Sequence, residues 1–178
     1  MLKTRKNNGR DEILCQFPNE DEEFRWISIS EIDEIRTATQ GILIENNKIL
    51  LVESINQRKL DIPGGGIKKG EIYSETLKRE FCEETGFIVE PVRILGIVES
   101  CFYYKEKEKV FHNIRIHYLT KKTGGEIKAQ RNGTDTFGAG WYDIDDLKKG
   151  KYSGSILEVA EEALENFVFK KKEEIIRR

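Results

Sequence analysis

The chain has 178 residues, enough for one domain with a substantial core and too few for two large ones. Charged residues make up 35% of it, yet acids and bases nearly cancel to a formal net charge of −2, which excludes a broad basic field for nucleic acid. No apolar run is as long as a membrane span, and the basic opening Met1-Leu2-Lys3-Thr4-Arg5-Lys6 lacks the apolar stretch of a secretory signal. Cys15, Cys82 and Cys101 are widely spaced with no Cys-x-x-Cys, so reduced, packed thiols in a cytoplasmic protein are expected.

Residues 1–37 read as an N-terminal extension. Ile13-Leu14-Cys15 predicts a short strand, Asn19 to Glu23 an exposed acidic loop, Phe24 to Ile29 a second strand, and Glu31 to Ile35 a helical turn. From Ala38 the pattern sharpens. Gly41 to Glu45 and Lys48 to Glu53 flank Asn46-Asn47, a hairpin signal because asparagine tolerates the positive φ of a tight turn. Lys59 to Pro63 predicts a short strand that feeds Gly64-Gly65-Gly66, where the backbone can turn sharply or approach a ligand.

A helix follows, ended by Gly86 as a C′ glycine. Its apolar residues Tyr73, Leu77 and Phe81 predict the buried stripe at about 100° per residue. Glu80, Glu83 and Glu84 stand at i, i+3 and i+4, so their carboxylates share one face. Glu84 falls within the buried arc and Glu80 at its edge, where carboxylates are rare unless paired or bound to metal. Arg79 is directed away from Glu84. A hard divalent cation such as Mg²⁺ or Mn²⁺ suits such oxygen donors.

Beyond the helix, Val92 to Ser100 with Cys101 to Tyr104, a charged turn at Lys105 to Lys109, and Val110 to Leu119 predict paired strands. The last of these places His112 and His117 on opposite faces, so they are not a ligand pair, and each is expected to be a surface or hydrogen-bonded histidine. Lys121 to Phe137 reads as a polar loop, Trp141 to Leu147 as a strand and short helix, and Ser155 to Lys171 as an amphipathic helix. Strands, one helix, more strands and a terminal helix predict a mixed sheet sandwiched between helices.

Gly65, Glu71 and the run Arg79-Glu80-Phe81-Cys82-Glu83-Glu84-Thr85-Gly86-Phe87 match the Nudix box at its defined positions. The chain therefore resembles a Nudix hydrolase, over most of residues 38–147. The resemblance implies an α/β/α sandwich with a mixed β-sheet over residues 38–178, and hydrolysis of a nucleoside diphosphate linked to another moiety by metal-assisted water attack. It implies Glu80, Glu83 and Glu84 as metal ligands, one doubling as base, with the Gly64 or Gly65 carbonyl as a further ligand. Arg79 would orient Glu71 or Glu83, Glu71 would support the loop or the outer metal shell, and Asp135 or Glu126 could add a distant acid. Leu60 and Lys68 depart from the Trp and Glu common in the family and bear on substrate choice.

Tyr103 and Tyr104 lie where tyrosine resembles diadenosine polyphosphate hydrolases; they and Arg58 and Arg115 are the candidate substrate contacts. Hydrolysis of oxidised nucleoside triphosphates is equally open. A non-catalytic nucleotide-binding domain would be expected to lose box glutamates, all present here. An isoprenoid diphosphate isomerase would need a catalytic cysteine, and Cys82 faces away from the carboxylate arc. The expected partner is a small nucleotide, with no membrane, and residues 1–37 are a candidate contact for a homodimer.

Overall fold

A computed structural model describes residues 2–17, 23–54, 60–127 and 136–148. The strands are β1 (Thr4–Asn7), β2 (Arg10–Phe17), β3 (Glu23–Ser28), β4 (Glu34–Ile42), β5 (Ile44–Glu45), β6 (Lys48–Ser54), β7 (Leu60–Asp61) and β8 (Gly64–Gly66). Helix α1 (Tyr73–Thr85) precedes β9 (Phe87–Tyr104), β10 (Lys109–Gly125), β11 (Thr136–Asp143) and the short α2 (Ile144–Lys148). One sheet has the order β1-β2-β9-β10-β4-β8 with β3 also on β2; the other has β11-β6-β5 with β7 on β6. In the first sheet β2 pairs parallel with β9 and antiparallel with β1 and β3, so that sheet is mixed; in the second, β5, β7 and β11 pair antiparallel with β6.

Two compact units are present, Met1–Ala38 with Ile97–Ile116, and Thr39–Gly96 with His117–Arg178; β4, β9 and β10 contribute to both. The first is built on a hairpin whose two-residue turn, Asn8-Gly9, has φ of 48° and 77° and leaves Asn7 opposite Arg10. Those angles suit a type I′ turn, and Asn-Gly is its strongest sequence signal. Ile13, Cys15, Ile27, Cys101 and Val110 form the core of this unit. The Asp33 carboxylate accepts the Val110 N–H at 2.7 Å, and Lys109 pairs with Glu34.

The helical turn expected at Glu31 to Ile35 lies earlier, at Ile29–Glu31, and β4 begins at Glu34. A capping box fixes it there: Ser28 Oγ accepts the Ser30 N–H while Glu31 accepts the Ser28 N–H. The β-branched Ile35, Thr37 and Thr39 then favour extension.

In the second unit the Asn46-Asn47 hairpin is present, with φ of 50° and 62°. The core joins Leu43, Leu50, Leu77, Phe81, Phe87 and Val89, with Tyr118, Ala139 and Trp141 against it. Leu77 and Phe81 are fully buried, but Tyr73 is 40% exposed and does not belong to the predicted stripe. It opens the helix, and the buried face is completed instead by Thr76 and Thr85. Thr85 Oγ1 donates to the Phe81 carbonyl at 2.6 Å, which satisfies its buried hydroxyl within the helix. Residues 121–125, expected as loop, continue β10; Thr123 Oγ1 donates to the Ile88 carbonyl at 3.2 Å and Lys122 lies over the Phe87 ring. Of the acidic loop expected at 19–23, residues 19–22 lie outside the described residues and Glu23 instead opens β3; the helix expected at 155–171 also lies outside them. Among the described residues no helix is long and apolar enough to cross a membrane.

Candidate active site

Helix α1 begins without a side-chain cap at Ile72 and ends on Gly86, whose φ of 84° lets its N–H reach the Cys82 carbonyl. Glu71, just before the helix, is the hub of the entry loop. Its carboxylate accepts the Lys68 N–H at 3.2 Å, Thr76 Oγ1 at 2.8 Å, and both Nε (2.7 Å) and Nη2 (2.8 Å) of Arg79. The planar guanidinium thus grips it with two parallel bonds. The Arg79 hydrogen bond, aided by Thr76 and the Lys68 N–H, lowers the Glu71 pKa from an ordinary carboxylate value to about 2. Arg79 moves the opposite way, chiefly through Glu71 and then Glu80. Glu71 is therefore a fixed anion and not a proton carrier at neutral pH.

The remaining Arg79 nitrogen, Nη1, donates to Glu80 at 2.6 Å and to Glu83 at 3.3 Å. Glu80 is mostly buried, whereas the Glu83 side chain is 47% exposed. Glu84 accepts the Gly64 N–H at 2.8 Å. Gly64 has φ of 150°, and a Cβ on it would lie 2.1 Å from the Thr39 carbonyl oxygen, so only glycine lets β8 approach β4 this closely. A Cβ on Gly65 would fall 2.5 Å from Glu80 Cδ. The glycine run therefore serves close approach of backbone to backbone and of backbone to carboxylate.

Glu71, Arg79, Glu80, Glu83, Glu84, Gly64 and Gly65 are thus gathered by α1, its entry loop and β8. Among the described residues no three His, Cys, Asp or Glu side chains are disposed as a metal cage. Arg79 draws in Glu71, Glu80 and Glu83, and Gly64 engages Glu84. By donor type the set fits a hard divalent cation, since it offers carboxylate and carbonyl oxygens, and Gly65 leaves free the space a Cβ would fill beside Glu80.

A family model, the NUDIX domain, matches residues 34–162. The chain belongs to the NUDIX family. This NUDIX chain is 34% identical over 115 residues to an ADP-ribose pyrophosphatase of Methanocaldococcus jannaschii, covering 63% of this chain and 64% of that protein. It is 33% identical over 107 residues to a putative 8-oxo-dGTP diphosphatase of Bacillus subtilis, covering 58% and 65%. The chain thus spans less than two thirds of the length of these relatives. The fold is similar to a NUDIX-family hydrolase of Clostridium perfringens, with a TM-score of 0.60 at 20% identity over 74% of this chain and 97% of that one. Divalent-metal dependence is general in the family.

The other candidates lie apart from this NUDIX helix in the chain. Tyr103 and Tyr104 belong to the first unit, where Tyr103 stacks on Phe17 at 5.4 Å and Tyr104 meets the Phe111 ring edge-on at 6.2 Å. Arg115 is in the same unit and its Nε is buried without a hydrogen-bond partner. Glu126 is exposed, and Arg58 and Asp135 lie outside the described residues. Sequence reasoning overlooked Thr76, which helps hold Glu71. No helix-start pattern marks it, because Thr76 lies inside α1 and its hydroxyl reaches back to an acid that precedes the helix. His117, expected at the surface or satisfied, is buried and hydrogen-bonded to Gln40 at 2.9 Å.

Proposed function

We propose that this NUDIX domain hydrolyses the pyrophosphate linkage of a nucleoside diphosphate joined to a further group. Water adds to one phosphorus, the bridging P–O bond breaks, and two phosphate-bearing products leave. The observation that carries this reading is the grouping of Glu80, Glu83 and Glu84 on the α1 face next to the Gly64–Gly66 strand, with Arg79 among them. Glu80, Glu83 and Glu84, with the Gly64 or Gly65 carbonyl, would hold Mg²⁺ or Mn²⁺. An ion bound there supplies charge neutralisation for the diphosphate and lowers the pKa of water.

The chain's own residues do the rest. Arg79 and Glu71 lock the entry loop onto the helix, so that the carboxylates stay placed while the substrate exchanges. One of the three glutamates takes the proton of the attacking water. Arg58, Tyr103, Tyr104 and Arg115 are proposed as base or phosphate contacts. Retention of every box glutamate supports turnover over binding alone. Residues 1–37 are proposed as a subunit contact, which a monomer mass by light scattering of the full chain would refute.

The test is product chromatography on ADP-ribose, nucleotide sugars, diadenosine polyphosphates, and normal and oxidised nucleoside triphosphates. The names of the relatives put ADP-ribose and 8-oxo-dGTP first. Cleavage of one class with Mg²⁺ or Mn²⁺, abolished by a chelator, is the expected result. Metal-independent cleavage would refute the reading.

A further inference from the structure

Beneath Gly64 lies a buried polar chain that the proposed chemistry does not use. Gln40, on β4, is 6% exposed and His117, on β10, is 2% exposed. Gln40 Nε2 donates to the Ile62 carbonyl at 3.0 Å and to Asp61 Oδ1 at 3.3 Å. Asp61 Oδ1 also accepts the Ile62 N–H at 2.7 Å, so it acts as an acceptor there. Both groups facing Nε2 are acceptors, and the amide must therefore turn its NH₂ toward them. That leaves Gln40 Oε1 for His117 Nε2 at 2.9 Å, and His117 must carry its hydrogen on Nε2.

The same segment continues into the site. The Gly41 N–H donates to the Pro63 carbonyl at 2.9 Å, and Gly64 lies so close to β4 that a Cβ on it would meet Gln40 Cα at 2.6 Å. The next polar contact is the Gly64 N–H to Glu84. Residues 61–64 are thus held from below by Gln40 and deliver a backbone donor to a carboxylate of the site.

We infer that Gln40 and His117 are positioning residues that set the Gly64 N–H, and through it Glu84. The inference rests on the proposed role of Glu84. The Gln40 amide has one orientation here that satisfies both of its ends, which makes its link to His117 a stiffer support than an apolar pair would be. A group placed off by a fraction of an ångström loses rate without losing substrate affinity.

The test uses the full chain, ¹⁵N-labelled, with Gln40→Met, which keeps length and removes both polar atoms. Amide exchange at Gly64 reads the positioning directly, whether or not any nucleotide is turned over. Gly64 is expected to exchange about tenfold faster than in wild type, and kcat to fall about ten- to a hundredfold with KM little changed. His117→Leu should act in the same direction and His117→Gln, which restores an N–H donor, should recover most of the loss. If Gln40→Met does not fold, the two His117 variants test the same link. Wild-type exchange at Gly64 in the variants, or a His117→Gln protein as impaired as His117→Leu, would overturn the inference. A wild type that cleaves none of the nucleotides would refute the proposed hydrolysis, while Gly64 exchange would still decide the positioning.

Discussion

Arg79 is the residue on which the candidate site turns, because one guanidinium serves the loop acid Glu71 and the helix acids Glu80 and Glu83 at once. Lysine carries the same charge but cannot make two parallel bonds to one carboxylate while reaching others. Arg79→Lys is therefore expected to keep the helix, by circular dichroism, and to lose about tenfold or more in kcat. Glu71 provides a second check, through pH. Its pKa is about 2 folded against 4.5 for an ordinary glutamate, so the stability it contributes is complete above about 4.5 and is lost as pH falls toward 2. The melting-temperature gap between wild type and Glu71→Gln should be constant near neutrality and close across that acid range. A gap that widens as pH falls would contradict the assignment. Glu80, Glu83 and Glu84 were legible from helical spacing, whereas Glu71, which precedes the helix, was marked only by the resemblance to the Nudix box. Which acid Arg79 holds was not, because its side chain reaches three of them.

At the scale of elements, α1 is seated by a small residue under its apolar face. A Cβ on Gly41 would lie 2.6 Å from Phe81 Cε2 and 2.9 Å from Leu77 Cδ1. Gly41→Ala should then push the helix from the strand beneath it and cost about 1–3 kcal/mol, measurable by urea unfolding. Activity should fall with it, since the helix carries the carboxylates. Periodicity located α1 and its buried Leu77 and Phe81, but not the exposure of Tyr73, because a terminal helix residue is not bound by the period of the interior. The Asn46-Asn47 turn was read from its residues, whereas the equally clear Asn8-Gly9 turn lay in a charged stretch with few apolar markers and escaped notice. Glycines 64 and 65 were recognisable as special. That they admit Thr39 and Glu80 depends on strand pairing, which no local pattern encodes.

At the scale of the molecule, the first unit joins residues far apart in the chain. Cys15 and Cys101 are buried neighbours across the parallel pairing that sets Gln16 opposite Phe102. The hydrogen bond between the two thiols, followed by burial, raises Cys15. Cys82, in the second unit, is only partly buried. A thiol reagent should therefore label Cys82 alone in the native protein and all three cysteines after unfolding, as peptide mass spectrometry would record. Labelling of Cys15 or Cys101 at the rate of Cys82 would contradict this packing. The mixed sheet with helices followed from the order of strands and helices, yet the linking of 1–38 with 97–116 rests on long-range contacts. The family match begins at residue 34 and so includes the start of β4.

The central claim is that the α1 carboxylates perform the hydrolysis. Steady-state turnover of the preferred nucleotide with Mg²⁺, wild type against Glu84→Gln, tests it most directly. A loss of about a hundredfold to ten-thousandfold in kcat, with the melting temperature little changed, is the predicted result. Wild-type turnover by a folded Glu84→Gln protein would contradict it.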